Sequence, residues 1–288
     1  MDGGPLRVLV TGAGGQVGSD VVLACRAAGD EVAAADRATL DVTDRDAVLG
    51  AVLSTGPDAI VHCAAWTAVD ACEAEPERAF THNALAVRWM AEAARRADAH
   101  LVHLSTDYVF LGDQPVPYTE WDEPSPRSVY GHSKLAGERE ALAGAPGATV
   151  VRVSWVCGAT GANMVKTVLR LADEQPVLTF VDDQRGHPTF AADLAPMLRR
   201  LALDRRAGIY HVTNQGPVSW YEFAGAVLAA AGQDPSRVKP VSSAELQPPR
   251  PARRPANSVL DNAALRAAGL PLLDDFHAPL ERLVRTLR

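Results

Sequence analysis

Several features that define other classes of protein are scarce in this sequence. Its 288 residues contain four cysteines and no C-x-x-C pair. That number is too small for a disulfide framework, so we expect reduced thiols and a cytoplasmic protein. No apolar run approaches the roughly 18 residues that cross a bilayer, and Met1–Pro5 lead into an apolar segment without a signal-peptide pattern. The sequence therefore predicts no membrane association.

Basic residues are also fewer than acidic ones. Lys and Arg total 28 against 35 Asp and Glu, for a net charge of -7, which argues against a nucleic-acid-binding protein. Lysine is rarest, occurring only as Lys134, Lys166 and Lys239, so a lysine inside a motif is informative. The eight histidines show no metal-ligand spacing, and we predict no metal site.

The first half of the chain alternates short apolar runs with helical stretches. Nearly continuous apolar runs are typical of parallel strands covered by helices on both faces. The alternation predicts an α/β fold, a Rossmann-type doubly wound parallel sheet. The predicted strands are 7–11, 31–36, 59–64, 100–105 and 149–154, and the predicted helices are 16–28, 45–55, 79–97, 129–143, 164–173, 192–203, 220–231 and 262–268.

The pattern loosens after about residue 155, where Gly, Pro and Arg become prominent. The proline-rich stretch 247–255 is compatible with neither a regular helix nor a central strand. We predict an NAD(P)-binding Rossmann domain over 1–154, to which the chain returns near 186–213, and a smaller C-terminal α/β substrate-binding domain over 155–288.

A glycine-rich turn follows the first predicted strand. Gly12, Gly15 and Gly18 form G-x-x-G-x-x-G before a helix, a pattern typical of dinucleotide-binding loops because it admits a pyrophosphate at the helix N-terminus. Asp36, at the end of the second strand, is placed to bind the adenosine ribose of NAD, whereas Arg37 is placed to bind the 2′-phosphate of NADP. Both NADPH and NADH remain open as the cofactor.

Tyr130 and Lys134 are four residues apart near the start of a predicted helix, hence on one face. Reduction of a ketone needs a proton donor at the carbonyl oxygen, and a tyrosine beside a cation is suited to that task. Thr106 follows the fourth strand, at the sheet edge where doubly wound folds bind their ligands. A hydroxyl there is able to polarise a substrate carbonyl.

Arginines in the proline-rich stretch indicate a second anion site. Arg250, Arg253 and Arg254 lie close together, and guanidinium groups suit phosphate. A solvated basic loop is the alternative.

Together these motifs resemble the dTDP-4-dehydrorhamnose reductase family of extended short-chain dehydrogenases/reductases over nearly the whole chain. Further matching segments are 64–70 with Glu73, 105–110, 129–138, 152–156, 183–189 and 254–261. The sequence departs from the family pattern at His62–Cys63, at Leu111 and at Cys157, where the family pattern has a tyrosine.

The resemblance implies a role for individual residues. The implied catalytic residues are Thr106, Tyr130 and Lys134. The implied cofactor-binding residues are Gly12, Gly15, Gln16, Val17, Asp36, Arg37, Asp41, Val42, Ala64, Ala65 and Thr67. The implied substrate-binding residues are Thr106, Asp107 and Trp155 at the sugar, and Asn163, Lys166, Arg185 and Arg254 at the nucleotide.

The resemblance also implies an activity, the NAD(P)H-dependent reduction of a dTDP-4-keto-6-deoxy-L-hexose by a monomer or homodimer. A 4-ketoreductase of antibiotic deoxysugar biosynthesis, of the dihydrostreptose type, is the nearest alternative. A dehydratase or epimerase is less compatible, because Tyr108 occupies the position of the dehydratase glutamate. A non-catalytic regulatory subunit is opposed by the intact set of Thr106, Tyr130 and Lys134.

Overall fold

The computed structural model describes residues 4–288. Its strands are β1 (Arg7–Thr11), β2 (Glu31–Ala35), β3 (Ala59–His62), β4 (His100–Thr106), β5 (Thr149–Val153), β6 (Val156–Cys157), β7 (Leu178–Val181), β8 (Arg185–Gly186), β9 (Thr189–Phe190), β10 (Gly208–His211), β11 (Val218–Ser219) and β12 (Val238–Val241). Its α-helices are α1 (Gln16–Ala27), α2 (Arg45–Thr55), α3 (Val69–Ala74), α4 (Pro76–Phe80), α5 (Ala86–Arg96), α6 (Val129–Gly144), α7 (Met164–Glu174), α8 (Ala191–Leu203), α9 (Trp220–Ala230), α10 (Ala263–Ala267) and α11 (His277–Leu287).

A six-stranded parallel sheet in the order β10-β5-β4-β3-β1-β2 forms the centre of the fold. Alternate residues of β1 point to opposite faces. Val8 and Val10 pack in one core with α1 and α8, whereas Leu9 packs in the other with α2 and α5. Burial on both faces explains the continuous apolar runs of these strands, and the doubly wound parallel sheet predicted from the sequence is confirmed.

The strand order reverses beside β1, because β2 lies on one side of it and β3 on the other. Ligands of such sheets bind at this switch point, beyond the carboxyl ends of the strands. β1, β3 and β4 end there at Thr11, His62 and Thr106. The fold therefore brings together the glycine loop after β1 and the predicted catalytic residues after β4.

The later part of the chain contributes to two regions. α8 packs against α1, and β10 extends the central sheet beside β5. A separate core forms around Phe190, Phe223 and Phe276 between α7, α9 and α11. The domain boundaries at 154 and 155 remain a prediction.

The predicted helix over 79–97 was wrong in detail. The segment instead consists of α4, a π-helical turn at Thr81–Leu85, and α5. The side chain of Asn83 within the turn bonds the backbone of Trp66 and the hydroxyl of Ser133. A wider turn of this kind often lies at a functional site.

Two helices were not predicted. α3 is only six residues long, too short to show a 3.6-residue period. α11 does bury Leu280, Leu283 and Val284 at helical spacing, so its signal was present in the sequence. None of the described helices is long and apolar enough to cross a membrane.

Candidate active site

The loop between β1 and α1 is closely packed against its neighbours. Gly12 has a φ of +66°, and a Cβ there would lie 2.7 Å from the backbone nitrogen of Ala64. A Cβ at Gly18 would overlap the carbonyl oxygen of Gly12. Gly15 supplies no side-chain cap to α1, so the first N–H groups of that helix are available to an anion. The loop therefore fits a pyrophosphate.

This packing predicts different effects for two glycine substitutions in the same loop. Gly18→Ala forces the α1 backbone away from Gly12, so we expect a loss of about 1–3 kcal/mol in the free energy of unfolding and weaker NADPH binding. A Cβ at Gly14 meets only the Cβ of Asp36, at 3.7 Å. The free energy of unfolding of Gly14→Ala should therefore stay within about 0.5 kcal/mol of the wild-type value. Urea unfolding and calorimetric titration with NADPH measure both effects. Equal effects of the two variants would contradict this account of the loop.

Two cavities meet at Gly12 and Ala65, on either side of the glycine loop. The first has a volume of about 400 Å³ and extends toward β4 and α6. The second, of about 460 Å³, extends toward the end of β2. All eleven predicted cofactor-binding residues line one cavity or the other: Gly12, Gly15, Gln16, Val17, Ala65 and Thr67 the first, and Gly12, Asp36, Arg37, Asp41, Val42, Ala64 and Ala65 the second.

The second cavity places charges of both signs around a space suited to an adenosine. Oδ1 of Asp36 accepts hydrogen bonds from the backbone nitrogens of Ala38 and Thr39 and from the Thr39 hydroxyl, each at 3.0 Å. These bonds lower the pKa of Asp36. Arg37 lines the same cavity, so a ribose hydroxyl and a 2′-phosphate both find a group that fits them.

The first cavity contains the three predicted catalytic residues, Thr106, Tyr130 and Lys134. The hydroxyl of Ser128 caps α6 by accepting from the nitrogen of Gly131, which fixes the start of the helix that carries Tyr130 and Lys134. Nζ of Lys134 donates to the carbonyl oxygen of Leu104 on β4, at 2.6 Å. The i, i+4 spacing therefore places a phenol and an ammonium on the face of α6 that meets the sheet.

Burial sets the protonation of both side chains. Lys134 is 2% exposed, and desolvation lowers its pKa to about 8, with Glu138 and Cys63 opposing the shift. Desolvation raises the pKa of Tyr130, against a hydrogen bond with Thr106 that lowers it. At neutral pH the tyrosine is thus a protonated phenol and the lysine is mostly a cation.

Thr106 is held by its neighbour. Its hydroxyl donates to Oδ1 of Asp107 at 2.8 Å, and Oδ2 of Asp107 accepts from the Ser154 hydroxyl at 2.9 Å. Burial raises the pKa of Asp107, and hydrogen bonds from Ser258, Thr106 and Ser154 oppose this. Asp107 lines the cavity and also orients the threonine.

A buried ion pair lies one helical turn after Lys134 on α6. Arg152 of β5 and Glu138 of α6 are 1% and 2% exposed and form two hydrogen bonds, of 2.9 and 2.7 Å. Ser105 of β4 donates to the same carboxylate at 2.5 Å. Glu138 thus joins the helix that carries Tyr130 to the two strands nearest the cavity.

The structure does not bring Asn163, Lys166, Arg185 and Arg254 to the lining of these two cavities. Asn163 Nδ2 donates to Gln16 Oε1 and Gly158 O, and Lys166 Nζ donates to Ala159 O and Gly161 O. Arg185 pairs with Glu222 at 3.2 Å. Their contact with a nucleotide stays a prediction.

Arg254 is neutralised by a partner distant in sequence. Its guanidinium forms two hydrogen bonds with Asp70, of 2.6 and 2.8 Å, and lowers the pKa of that carboxylate. With Arg250 and Arg253, it lines a third cavity, of about 370 Å³. The bonds to Asp70 occupy the two-pronged geometry by which a guanidinium binds a phosphate.

Several residues that line the two cavities were not predicted from the sequence. Trp220 stacks on the predicted Trp155, and Tyr108 lies edge-on to Tyr130 with ring centroids 5.5 Å apart. The signal for Tyr108 was its position two residues after Thr106. Other unpredicted residues of the cavities are Leu40, Thr43, Cys63, Val69, Arg78, His82, Leu104, Ser105, Val153 and Val156.

One of the four cysteines lies at the lining of the first cavity. Within the described residues, Cys25, Cys63, Cys72 and Cys157 are free, and burial raises the pKa of the cavity residue Cys63 to about 12. No group of three His, Cys, Asp or Glu side chains in residues 4–288 is arranged to hold a metal ion.

Comparison with known proteins identifies relatives over nearly the whole chain. A dTDP-4-dehydrorhamnose reductase of Streptomyces griseus is 44% identical over 95% of this chain and 91% of its own. A Streptomyces antibioticus protein, named "Probable dTDP-4,6-dihydroxy-2-methyloxan-3-one 4-ketoreductase", is 41% identical over 96% of this chain and 93% of its own.

A solved structure and a family model agree with these relatives. The crystal structure of dTDP-4-dehydrorhamnose reductase from Bacillus anthracis in complex with NADP superposes with a TM-score of 0.93, at 38% identity over 97% of this chain and 99% of its own. The model described as RmlD substrate binding domain matches residues 6–288. The chain therefore belongs to the RmlD substrate binding domain family.

Proposed function

We propose that this protein reduces the 4-keto group of a dTDP-4-keto-6-deoxy-L-hexose, with dTDP-4-dehydro-L-rhamnose as the substrate and NADPH or NADH as the cofactor. The relatives named for this activity support the assignment. The observation that supports it most strongly is that Thr106, Tyr130 and Lys134 line a cavity that also reaches Gly12, Gly15 and Gln16 of the glycine loop.

The residues of the two cavities would hold a nicotinamide dinucleotide. The N-terminus of α1 would bind the pyrophosphate, Asp36 and Arg37 would bind the adenosine ribose or its phosphate, and Lys134 would bind the nicotinamide ribose. When bound, the reduced nicotinamide supplies the hydride that adds to the carbonyl carbon.

The side chains of the first cavity supply the remaining chemistry. The Tyr130 phenol donates its proton to the carbonyl oxygen as the C–O double bond becomes single, and solvent later returns a proton to the phenolate. The Lys134 ammonium stabilises that phenolate. The Thr106 hydroxyl, which otherwise donates to Oδ1 of Asp107, turns to donate its hydrogen bond to the same oxygen, and Asp107 and Trp155 contact the sugar.

A direct assay tests this function. Purified protein is mixed with dTDP-4-dehydro-L-rhamnose and NADPH or NADH, and the absorbance of the reduced cofactor is followed while the product is compared with dTDP-L-rhamnose by chromatography. We expect loss of absorbance in step with formation of that product. Constant absorbance with both cofactors would contradict the proposal.

The buried ammonium predicts a pH dependence. Lys134 is charged below its pKa of about 8 and neutral above it, so kcat/KM should fall as the pH rises through about 8, where the phenolate loses its stabilising charge. Lys134→Met should remove this decline along with most of the activity, whereas Lys239→Met, at an exposed position on β12, should leave it in place. A wild-type profile that stays flat well above pH 8 would contradict the role of Lys134.

A neighbouring substrate is the second candidate. The Streptomyces antibioticus relative named as a 4-ketoreductase is almost as similar as the Streptomyces griseus protein, which favours a neighbouring dTDP-4-ketosugar. The substrate we propose in that case is a ketosugar of antibiotic deoxysugar biosynthesis, of the dihydrostreptose type. Rates on several dTDP-4-ketosugars separate the two, since the natural substrate should have the highest kcat/KM.

Besides the nicotinamide cofactor, the activity requires the nucleotide sugar as its partner. We propose a cytoplasmic enzyme that acts as a monomer or homodimer, a state that light scattering measures. A non-catalytic regulatory subunit would instead copurify with a partner enzyme and show no turnover.

A further inference from the structure

Trp155 adopts an unusual backbone conformation at the wall of the first cavity. It lies between β5 and β6 and has a φ of +44°. This value is in the left-handed region, which residues with a Cβ rarely adopt. Such a conformation persists only where the surrounding structure holds it, most often at a functional site. The surroundings of its indole show what holds it.

Gly186 leaves space for this indole. A Cβ at position 186 would lie 2.6 Å from Cε2 and 2.7 Å from Nε1 of Trp155, so any other residue would displace the ring. The backbone at Gly186 has no positive φ, and its glycine is therefore required for close approach rather than for a turn. The residue is held in place by antiparallel pairing of β8 with β11, opposite Val218.

Trp220 covers one face of the same indole and leaves the other uncovered by this stack. The two rings are stacked with centroids 3.5 Å apart and an interplanar angle of 9°. Trp220 is the first residue of α9, whose start is fixed by a capping box between Ser219 and Glu222. Glu222 also pairs with Arg185 of β8, so one small unit of structure positions both Gly186 and Trp220.

Both indoles line the cavity that contains Thr106 and Tyr130. From these contacts we infer that Gly186 and Trp220 are positioning residues that hold Trp155 as a preformed wall, on which the C–H face of the ketosugar packs. This inference rests on the proposed reductase function. A wall built before the substrate arrives avoids the entropic cost of ordering that wall on binding. Trp155 and Trp220 are called the indole pair below. The flat face of an indole matches the apolar face of a pyranose.

The inference predicts a change in sugar binding without a matching change in cofactor binding. Trp220→Ala and Gly186→Ala should each raise the KM for the ketosugar about tenfold. The KM for NADPH and the kcat at saturating sugar should stay within about threefold of wild type. Trp220→Phe should recover part of the loss because it keeps a flat ring. Trp121→Ala is the matched control, since Trp121 is 69% exposed and should have no effect.

A measurement without turnover keeps the two proposals apart. Calorimetric titration of dTDP-L-rhamnose into the protein without a nicotinamide cofactor should show the same order of affinity, with wild type, Trp121→Ala and Trp220→Phe above Trp220→Ala and Gly186→Ala. If wild type turns over and Trp220→Ala has the KM and affinity of wild type, the indole pair does not position the sugar. If Trp220→Ala raises both KM values equally, its role is only structural and the inference fails.

Failure of the proposed function gives a different result. If the affinities of wild type and the variants for dTDP-L-rhamnose follow this order but wild type does not oxidise NADPH, the role of the indole pair is supported and the reductase function is overturned. A wild-type protein that neither binds nor turns over would overturn both.

Discussion

Replacing Tyr130 with phenylalanine should lower kcat by about 10²–10⁴-fold while changing the KM for NADPH little. The substitution removes one oxygen from a side chain that is 8% exposed, and it leaves the ring that packs near Cys72 and Ala79. In the proposed mechanism the phenol of Tyr130 is the group that gives a proton to the carbonyl oxygen, so its removal leaves that step without a donor. Steady-state kinetics with dTDP-4-dehydro-L-rhamnose measure the loss.

Tyr210→Phe is the matched control for this prediction. Tyr210 of β10 is also 8% exposed, but it packs in the core between the sheet and α8 and lies outside both cavities. We expect nearly wild-type kcat for this variant. Comparable activity of Tyr130→Phe and Tyr210→Phe would remove the phenol from the mechanism.

Replacing Glu138 with glutamine should lower the free energy of unfolding by about 3–5 kcal/mol, because it leaves the charge of Arg152 buried without a counter-ion. Both side chains are at most 2% exposed, so water cannot compensate for the lost carboxylate. The midpoint of urea unfolding at neutral pH measures the effect.

The control for this prediction lies on the same helix. Glu140 of α6 also forms two hydrogen bonds with an arginine, Arg88 of α5, but those side chains are 27% and 53% exposed. Glu140→Gln should therefore cost less than about 1 kcal/mol. If the two variants unfold at the same urea concentration, the buried pair does not contribute to stability in the way its burial implies.

The sequence predicted those parts of the fold and site that depend on local patterns. Continuous apolar runs located five of the six strands of the sheet, all except β10. The glycine spacing located the loop after β1, and the four-residue spacing placed Tyr130 and Lys134 on one face of α6. Each of these signals lies within about twenty residues, and each follows from the geometry of one helix or one strand end.

Features that depend on distant contacts were not predictable in this way. The pairing of Arg254 with Asp70 joins residues 184 positions apart, so no local pattern in the sequence indicates it. Trp220 lacked any local signal, because its partner Trp155 lies 65 positions away and the stack forms only where β11 meets β8. The π-helical turn depends on Asn83 bonding to Trp66 and Ser133, contacts that helical periodicity does not reveal.

The position of the transferred hydrogen tests most directly whether the cavity around Tyr130 reduces a ketone. NADPH that carries deuterium at the reactive position of the nicotinamide is turned over with dTDP-4-dehydro-L-rhamnose in ordinary water, and the product is examined by mass spectrometry and NMR. We predict one deuterium per product molecule, located at C4 of the sugar. A product without deuterium, or with deuterium at another carbon, would contradict reduction at C4.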